Sequence, residues 1–456
     1  MKVLLISANV TLSPYPIYPL GVSMVAAALS KAGHEVQQSD FLLHNSSLDA
    51  IGNEVEQFKP DLIGISIRNI DNVNLMNEQY YIQNVGNIVS TIRTLTDVKV
   101  LLGGAGFSLI PDLILQETGA DYGIIGEGEV LAVEFANNAE QGIYPQERLI
   151  GPASRLSGES IKSALYDEKL VEFYLHSGNI ASIQTKRGCA YKCVYCTYPL
   201  LEGTELRRRA AREVVDDIEL LRDKHKTKYI FFVDSVFNDD EGAYLEVIDE
   251  MVRREVSIPW TGFIKPGGLT DEIVERMKKT GFAAAEVGAD AACDTTLRRM
   301  GKNFTFQDVV ECNDLFVKHG IATSHFFMFG GPGETEATVH EGIKNILGLQ
   351  KCVSFIFMGI RILPKTPLAQ IAIKENIISA ADGLLKPIYY ISPALDKKWL
   401  EETLTDAFAG VRHCIFPPDA MEGSLQMLHK LGYTGPLWDL LISGERTRKR
   451  KKYAEH

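Results

Sequence analysis

The chain has 456 residues, 45% hydrophobic and 23% charged, which is too long for one ordinary core and suits two to three soluble domains. Its 47 basic and 59 acidic residues leave a net charge of −12, an argument against a broad nucleic-acid footprint. No run of about eighteen apolar residues occurs, so no membrane span is expected. Seven cysteines, an odd number with three crowded together, do not form a disulfide framework. The Met1–Ile6 stretch lacks the long apolar region and cleavage site of a secretory signal, and the expected compartment is a reducing cytoplasm.

The first third reads as alternating strand and helix. Val3–Ile6 is a short apolar strand, followed by a loop rich in proline from Pro14 to Pro19. Leu20 to Ala32 has helical periodicity and stops at Gly33, a usual residue beyond a helix end, and a second strand begins near His34. Leu62–Ile67, Val98–Leu102 and Tyr122–Ile125 are continuous apolar runs, as expected of parallel strands buried on both faces. The fold class is α/β, a doubly wound domain over 1–140, which binds ligands beyond the carboxyl ends of its strands. Two strands end in glycine turns, Gly103-Gly104-Ala105-Gly106 and Gly126-Glu127-Gly128-Glu129, where backbone can approach a bound group. Neither is a dinucleotide fingerprint nor a P-loop.

After a linker over 141–178 the pattern restarts with Ile180–Thr185, an alternating strand that feeds the run Arg187-Gly188-Cys189-Ala190-Tyr191-Lys192-Cys193-Val194-Tyr195-Cys196. The CxxxCxxC spacing lets Cys189, Cys193 and Cys196 reach one small inorganic centre. No fourth cysteine stands nearby, so a [4Fe-4S] cluster here would keep one iron open for a ligand. Structural zinc normally needs a second paired element, whereas Cys293, Cys312, Cys352 and Cys414 are isolated. Further on, Lys228–Asp234 is an apolar strand ending in a carboxylate, a helix is expected over 271–280, and Ala284–Asp290 and Phe326–Thr335 each read as a strand with its turn.

These phrases carry two resemblances. The cysteine loop with Thr197-Tyr198-Pro199, together with Asp234, Gly288-Ala289-Asp290, Phe329-Gly330-Gly331-Pro332-Gly333-Glu334-Thr335 and Arg361–Leu368, resembles the radical S-adenosylmethionine (SAM) enzymes. The resemblance implies a partial (β/α)6 barrel over 179–385 with Arg361–Leu368 as its last strand. It implies SAM chelating the open iron near Tyr195, Tyr198, Asp234, Asp290, Met328, Gly330 and Gly331. Glu334 is expected to cap the following helix. Asp290 stands where the family usually has Glu-Ser, which weakens any contact assigned to it.

The phrases Pro19-Leu20-Gly21, Lys59–Ser66, Leu102-Gly103-Gly104 and Ile125–Glu129 resemble the cobalamin-binding domain that precedes many of these enzymes. The resemblance places Arg68, Asn69, Gly103, Gly104, Gly126, Glu127 and Gly128 near the corrin. Arg68 has loop capping as its alternative role, and a domain that keeps the fold without the cofactor is the alternative for the whole region. The Asp-x-His-x-x-Gly loop of methionine-synthase-type domains is absent, so no protein imidazole is expected on cobalt, and His34 and His44 read as ordinary histidines.

The class as a whole is similar to cobalamin-dependent radical SAM enzymes, with cluster, SAM and cobalamin as cofactors and a flavodoxin or ferredoxin as electron donor. The implied activity is methylation of an unactivated carbon of a small molecule; rearrangement, ring contraction or cyclisation without methyl transfer is the alternative. Methylthiotransferases share the barrel but need N-terminal cluster cysteines, and no cysteine precedes Cys189. The segment 386–456 is expected to cap the barrel, with Tyr389 and Tyr390 either packed or facing substrate. The basic run from Arg446 to Lys452 reads as a frayed, solvated end. Substrate identity and oligomeric state are not legible.

Overall fold

The computed structural model describes residues 1–12 and 15–442; Pro14 and the basic run from Arg446 to Lys452 lie outside the described residues. Six parallel strands form the first sheet in the order Glu35–Asp40, Lys2–Ser7, Leu62–Ser66, Lys99–Gly103, Tyr122–Ile124, Leu149–Ile150. Successive strand residues point to opposite faces, and both faces are covered. Val3, Leu5, Leu62 and Leu101 pack against helices Leu20–Lys31 and Gly128–Glu140. Leu4, Ile6, Ile63 and Ile65 pack against Leu48–Phe58 and Ile82–Leu95. This is why the strands read as unbroken apolar runs. The sixth strand carries the sheet past position 140, into what the sequence reads as linker.

Seven parallel strands form the second sheet in the order Cys414–Ile415, Cys352–Met358, Ala322–Phe329, Ala284–Asp290, Trp260–Ile264, Tyr229–Phe232, Ile180–Ile183. The first six in chain order are sequential neighbours, as in a partial barrel, and a short seventh comes from the segment expected only to cap it. One assignment is corrected. The sixth barrel strand is Cys352–Met358, and Arg361 follows it in a two-residue strand, Ile360–Arg361, paired antiparallel with Tyr389–Tyr390. Cys352, Val353, Phe355 and Ile356 are buried, as a central strand requires, whereas a strand through Pro364 would lack a ladder donor.

Buried polar pairs join the two sheets' domains. Asp71, beyond strand Leu62–Ser66, accepts from Arg361 at 2.7 Å, and both side chains are almost fully buried. Arg361 also donates to the carbonyls of Ile362 and Leu384. Tyr174 donates to Asp40 at 2.9 Å. Among the described residues no helix is long and apolar enough to cross a membrane.

Removing one partner of a buried pair strands the other charge. Asp71→Ala is therefore expected to lower Tm by roughly 5–10 °C, read by a thermal melt, whereas Lys398→Ala, from an exposed pair, should change it by about 1 °C or less.

Candidate active site

The cysteine loop is pinned from several sides. Gly188 has φ +101°, and a Cβ there would fall 2.0 Å from the carbonyl of Glu205, so only glycine lets the chain turn into Cys189. Its N–H donates to Glu202 at 3.0 Å, and its carbonyl accepts from Ser235. The Val194 N–H reaches the Met300 carbonyl, and the Val194 carbonyl accepts from Leu368. Cys189 is buried, and Cys193 and Cys196 are half-buried; all three are free thiols. Burial pushes Cys196 up to about 12 and raises Cys193 as well. Among the described residues no three His, Cys, Asp or Glu side chains are gathered into a preformed metal site. The donor set nonetheless suits an iron–sulfur cluster, whose charge deprotonates its thiols.

The residues assigned to SAM divide. Tyr195 donates to Asp290, and Lys302 contacts both, pairing with Asp290 and lying 5.5 Å from the Tyr195 ring. Burial opposes the charge of Lys302, but Asp290 and Cys193 raise its pKa above the usual value. Asp290 lies in the left-handed region at φ +63°, where strand Ala284–Asp290 shifts register. Met328, Val194 and Tyr195 all pack against one extended apolar cluster.

Two roles are corrected. Asp234 is fully buried, with its oxygens bonded by Thr185 N and Oγ1 and by Lys186 N and Nζ, so it anchors the chain entering the cysteine loop instead of facing SAM. Glu334 does not cap the next helix; Thr335 does, accepting from Thr338 N. Glu334 instead folds back to accept from Gly330 N and, at 2.9 Å, from Gly331 N, and burial pushes it up to about 7.

The cobalamin set comes together without exception. Arg68, Asn69, Gly103, Gly104, Gly126, Glu127 and Gly128 all line one cavity of about 870 Å³ at the carboxyl ends of the first sheet's strands. Gly104 has φ +98°, and a Cβ there would lie 2.5 Å from the Ile67 carbonyl, so the backbone forms the cavity wall. Arg68 lines the cavity; the enclosing protein lowers its guanidinium pKa, and Tyr198, Tyr174, Tyr15 and Tyr81 counter this. It makes no hydrogen bond or ion pair among the described residues. A large cradle of glycine backbone with one unpaired guanidinium fits a corrinoid. Among the described residues no histidine lines it: His34 is buried beside the N-terminus, and His44 pairs with Glu54. Tyr198, assigned to SAM from the sequence, lines this cavity too.

Glu127 has a second duty. Its carboxylate accepts from Arg187 at 3.0 Å, from Arg207 at 2.7 Å and from Leu156 N at 2.8 Å. Burial alone would raise it, but these donors outweigh burial and hold it below the usual carboxylate range. Glu129 takes the other arm of Arg187.

Sequence reasoning did not single out Arg187, Arg207, Lys302 or Glu286. Glu286 points into the barrel, bonded by Tyr15 Oη at 2.8 Å, and burial pushes it up to about 7. An acid in the middle of the apolar run Ala284–Ala289 was the available signal.

The B12 binding domain model matches residues 6–136 and the Radical SAM superfamily model residues 183–346. The tryptophan 2-C-methyltransferase of Streptomyces laurentii is 24% identical over 81% of this chain and 73% of its own length. The anaerobic magnesium-protoporphyrin IX monomethyl ester cyclase of Rubrivivax gelatinosus is 21% identical over 72% of this chain and 61% of its own. The radical SAM methyltransferase TsrM of Kitasatospora setae, solved with cobalamin and a [4Fe-4S] cluster bound, aligns over 99% of both chains with a TM-score of 0.85 at 24% identity. That likeness establishes the fold.

A carboxyl raised in the folded state stabilises below its unfolded pKa and loses that advantage as pH rises through its folded one. Relative to Glu334→Gln, the wild type should therefore lose stability between pH 4.5 and about 7. The difference should be on the order of 3 kcal/mol, read from denaturant melts of both proteins at the two ends of the window.

Proposed function

Because the chain belongs to the cobalamin-dependent radical SAM enzymes, we propose that it methylates a carbon atom of a small-molecule substrate. The observation that carries this reading is continuity. Arg68 and Gly104 of the first domain, Tyr198 of the cysteine loop, and Phe231 and Phe357 of the barrel strands line one cavity. When bound, the cluster supplies the electron that cleaves SAM and the corrinoid supplies the methyl group.

The chain's own residues would do the positioning. Cys189, Cys193 and Cys196 hold the cluster. Tyr195, Asp290, Met328, Gly330 and Gly331 form the SAM face, with Glu334 fastening the two glycine amides. The glycine turns at Gly103-Gly104 and Gly126–Gly128 would hold the corrinoid, with Arg68 lining the same cavity. The apolar barrel interior keeps water from the reacting carbon. A flavodoxin or ferredoxin would supply electrons, and the compartment is the cytoplasm.

A cyclisation without methyl transfer is the second reading, favoured by the likeness to the Rubrivivax cyclase. Product analysis separates them: S-adenosylhomocysteine together with a substrate gaining one CH₂ is expected, whereas deoxyadenosine alone would favour cyclisation.

Anaerobic reconstitution should give about four irons per chain, and Cys193→Ala should lose the cluster absorbance near 400 nm and all reductive SAM cleavage. Intact cleavage in that variant would remove the cluster assignment. Hydroxocobalamin should be retained stoichiometrically with a base-off spectrum. Protein that keeps its cluster but no corrinoid would refute the cobalamin half.

A further inference from the structure

The barrel side of the cavity has a chemistry of its own. Phe231 and Phe263, on neighbouring strands, meet edge to face at 5.2 Å. Two strands further round the sheet, Phe326 and Phe355 stack at 5.4 Å and 13°, and Trp438 closes edge-on to Phe355 at 5.1 Å. Strand Ala284–Asp290 runs between these walls. In register with Phe263 it presents Glu286, already bonded by Tyr15, and beyond that only Gly288. All five aromatic residues line the cavity, and Tyr15, edge-on to Phe231 at 6.2 Å, lies against Glu286.

Among the described residues the charged side chains at this end are Asp419 and Glu422. Helix Glu422–Lys430 turns Glu422, Leu425 and Gln426 toward the cavity at i, i+3 and i+4, and Leu425 joins the Phe355 and Trp438 cluster. Glu422 makes no ion pair among the described residues. Asp419 accepts from Asn77 at 2.8 Å through one oxygen, while its other oxygen is buried without a partner. The indole N–H of Trp438, 1% exposed, also lacks a partner. Among the described residues the cations on the cavity wall are Arg68 and Arg187. Arg187 is bound by Glu127 and Glu129, and Arg68 follows the strand Leu62–Ser66 and faces Tyr15 and Tyr81. An anionic substrate would meet uncompensated carboxylates here, whereas an ammonium would meet its counter-charge and aromatic faces suited to a cation.

We propose that the barrel half of the cavity selects a cationic aromatic amine, its ring held between the Phe231–Phe263 and Phe326–Phe355–Trp438 walls and its ammonium toward Asp419 and Glu422. This rests on the reading that the other half holds the corrinoid.

The test uses three small probes on holoenzyme reconstituted with cluster and cobalamin and saturated with SAM. They are 2-phenylethylamine, its acid counterpart 3-phenylpropionate, and hexylamine, each measured by calorimetry. The aromatic amine should bind at least about tenfold more tightly than either of the others. Asp419→Asn/Glu422→Gln should bring the amine and acid within roughly threefold, with iron and corrinoid content unchanged. Phe355→Leu should weaken both aromatic probes while leaving their ratio in place.

Equal or tighter binding of the acid overturns the proposal, as does equal binding of hexylamine or no binding of any probe. Corrinoid loss in the double carboxamide variant would also overturn it, because those carboxylates would then serve the cofactor. Wild-type protein that takes up no corrinoid at all refutes the earlier reading instead, before any probe is added.

Discussion

Arg187 stands two residues before the first cysteine, and its guanidinium is buried between Glu127 and Glu129 of the N-terminal domain. Arg207 completes the set, so two arginines and two glutamates neutralise one another where water is scarce. Each charge alone would be costly to bury; together, with the Leu156 and Glu202 backbone groups as further partners, they are hydrogen-bonded on nearly every side. The constraint is mutual. The glycine turn at 126–128 cannot move without loosening the strand that leads into Cys189, and the cysteine loop cannot shift without stranding two carboxylates. This network and an apolar cluster running from Leu4 and Ile63 to Leu297 and Met300 together set the relative placement of the two proposed cofactor sites.

The other buried polar groups divide the labour in the same way. Asp234 gathers Thr185 and Lys186 behind the cysteine loop, and Arg361 ties the end of the barrel to Asp71 across the domain boundary. Glu334 closes the Gly330-Gly331 turn. None of these groups needs to touch a reacting atom. They hold backbone in place so that thiols, amides and glycine surfaces can. A radical route that relies on cofactors needs a rigid, dry container more than a strong acid or base.

The fold was legible to a large degree, because buried parallel strands leave continuous apolar runs that few other structures produce. Strands at Lys2–Ser7, Leu62–Ser66 and Lys99–Gly103 answer to such runs, and Phe326–Phe329 is the apolar end of strand Ala322–Phe329. The strand ends carrying Arg68, Gly104 and Gly126 were legible for a related reason, since ligands in these sheets gather beyond the carboxyl ends. Cys352–Met358 was passed over in favour of the motif after it, although Val353–Met358 is itself an apolar run. The short strand Cys414–Ile415 has only two residues, too few for any periodicity.

What the sequence determined by itself was chemistry that is local: three thiols within eight positions, glycines where the backbone must turn, and apolar runs that can only be buried strands. Those depend on spacing along the chain. What only the tertiary structure decided was the duty of each charged side chain. Glu127 and Arg187, or Asp71 and Arg361, are separated by tens to hundreds of residues, and nothing in their neighbourhoods along the chain names the partner. Asp234 reads the same in sequence whether it faces a ligand or the chain; the packing around it leaves it Thr185 and Lys186. A buried charge takes its role from whichever opposite charge the fold brings within about 3 Å, and that is fixed by how the sheets meet.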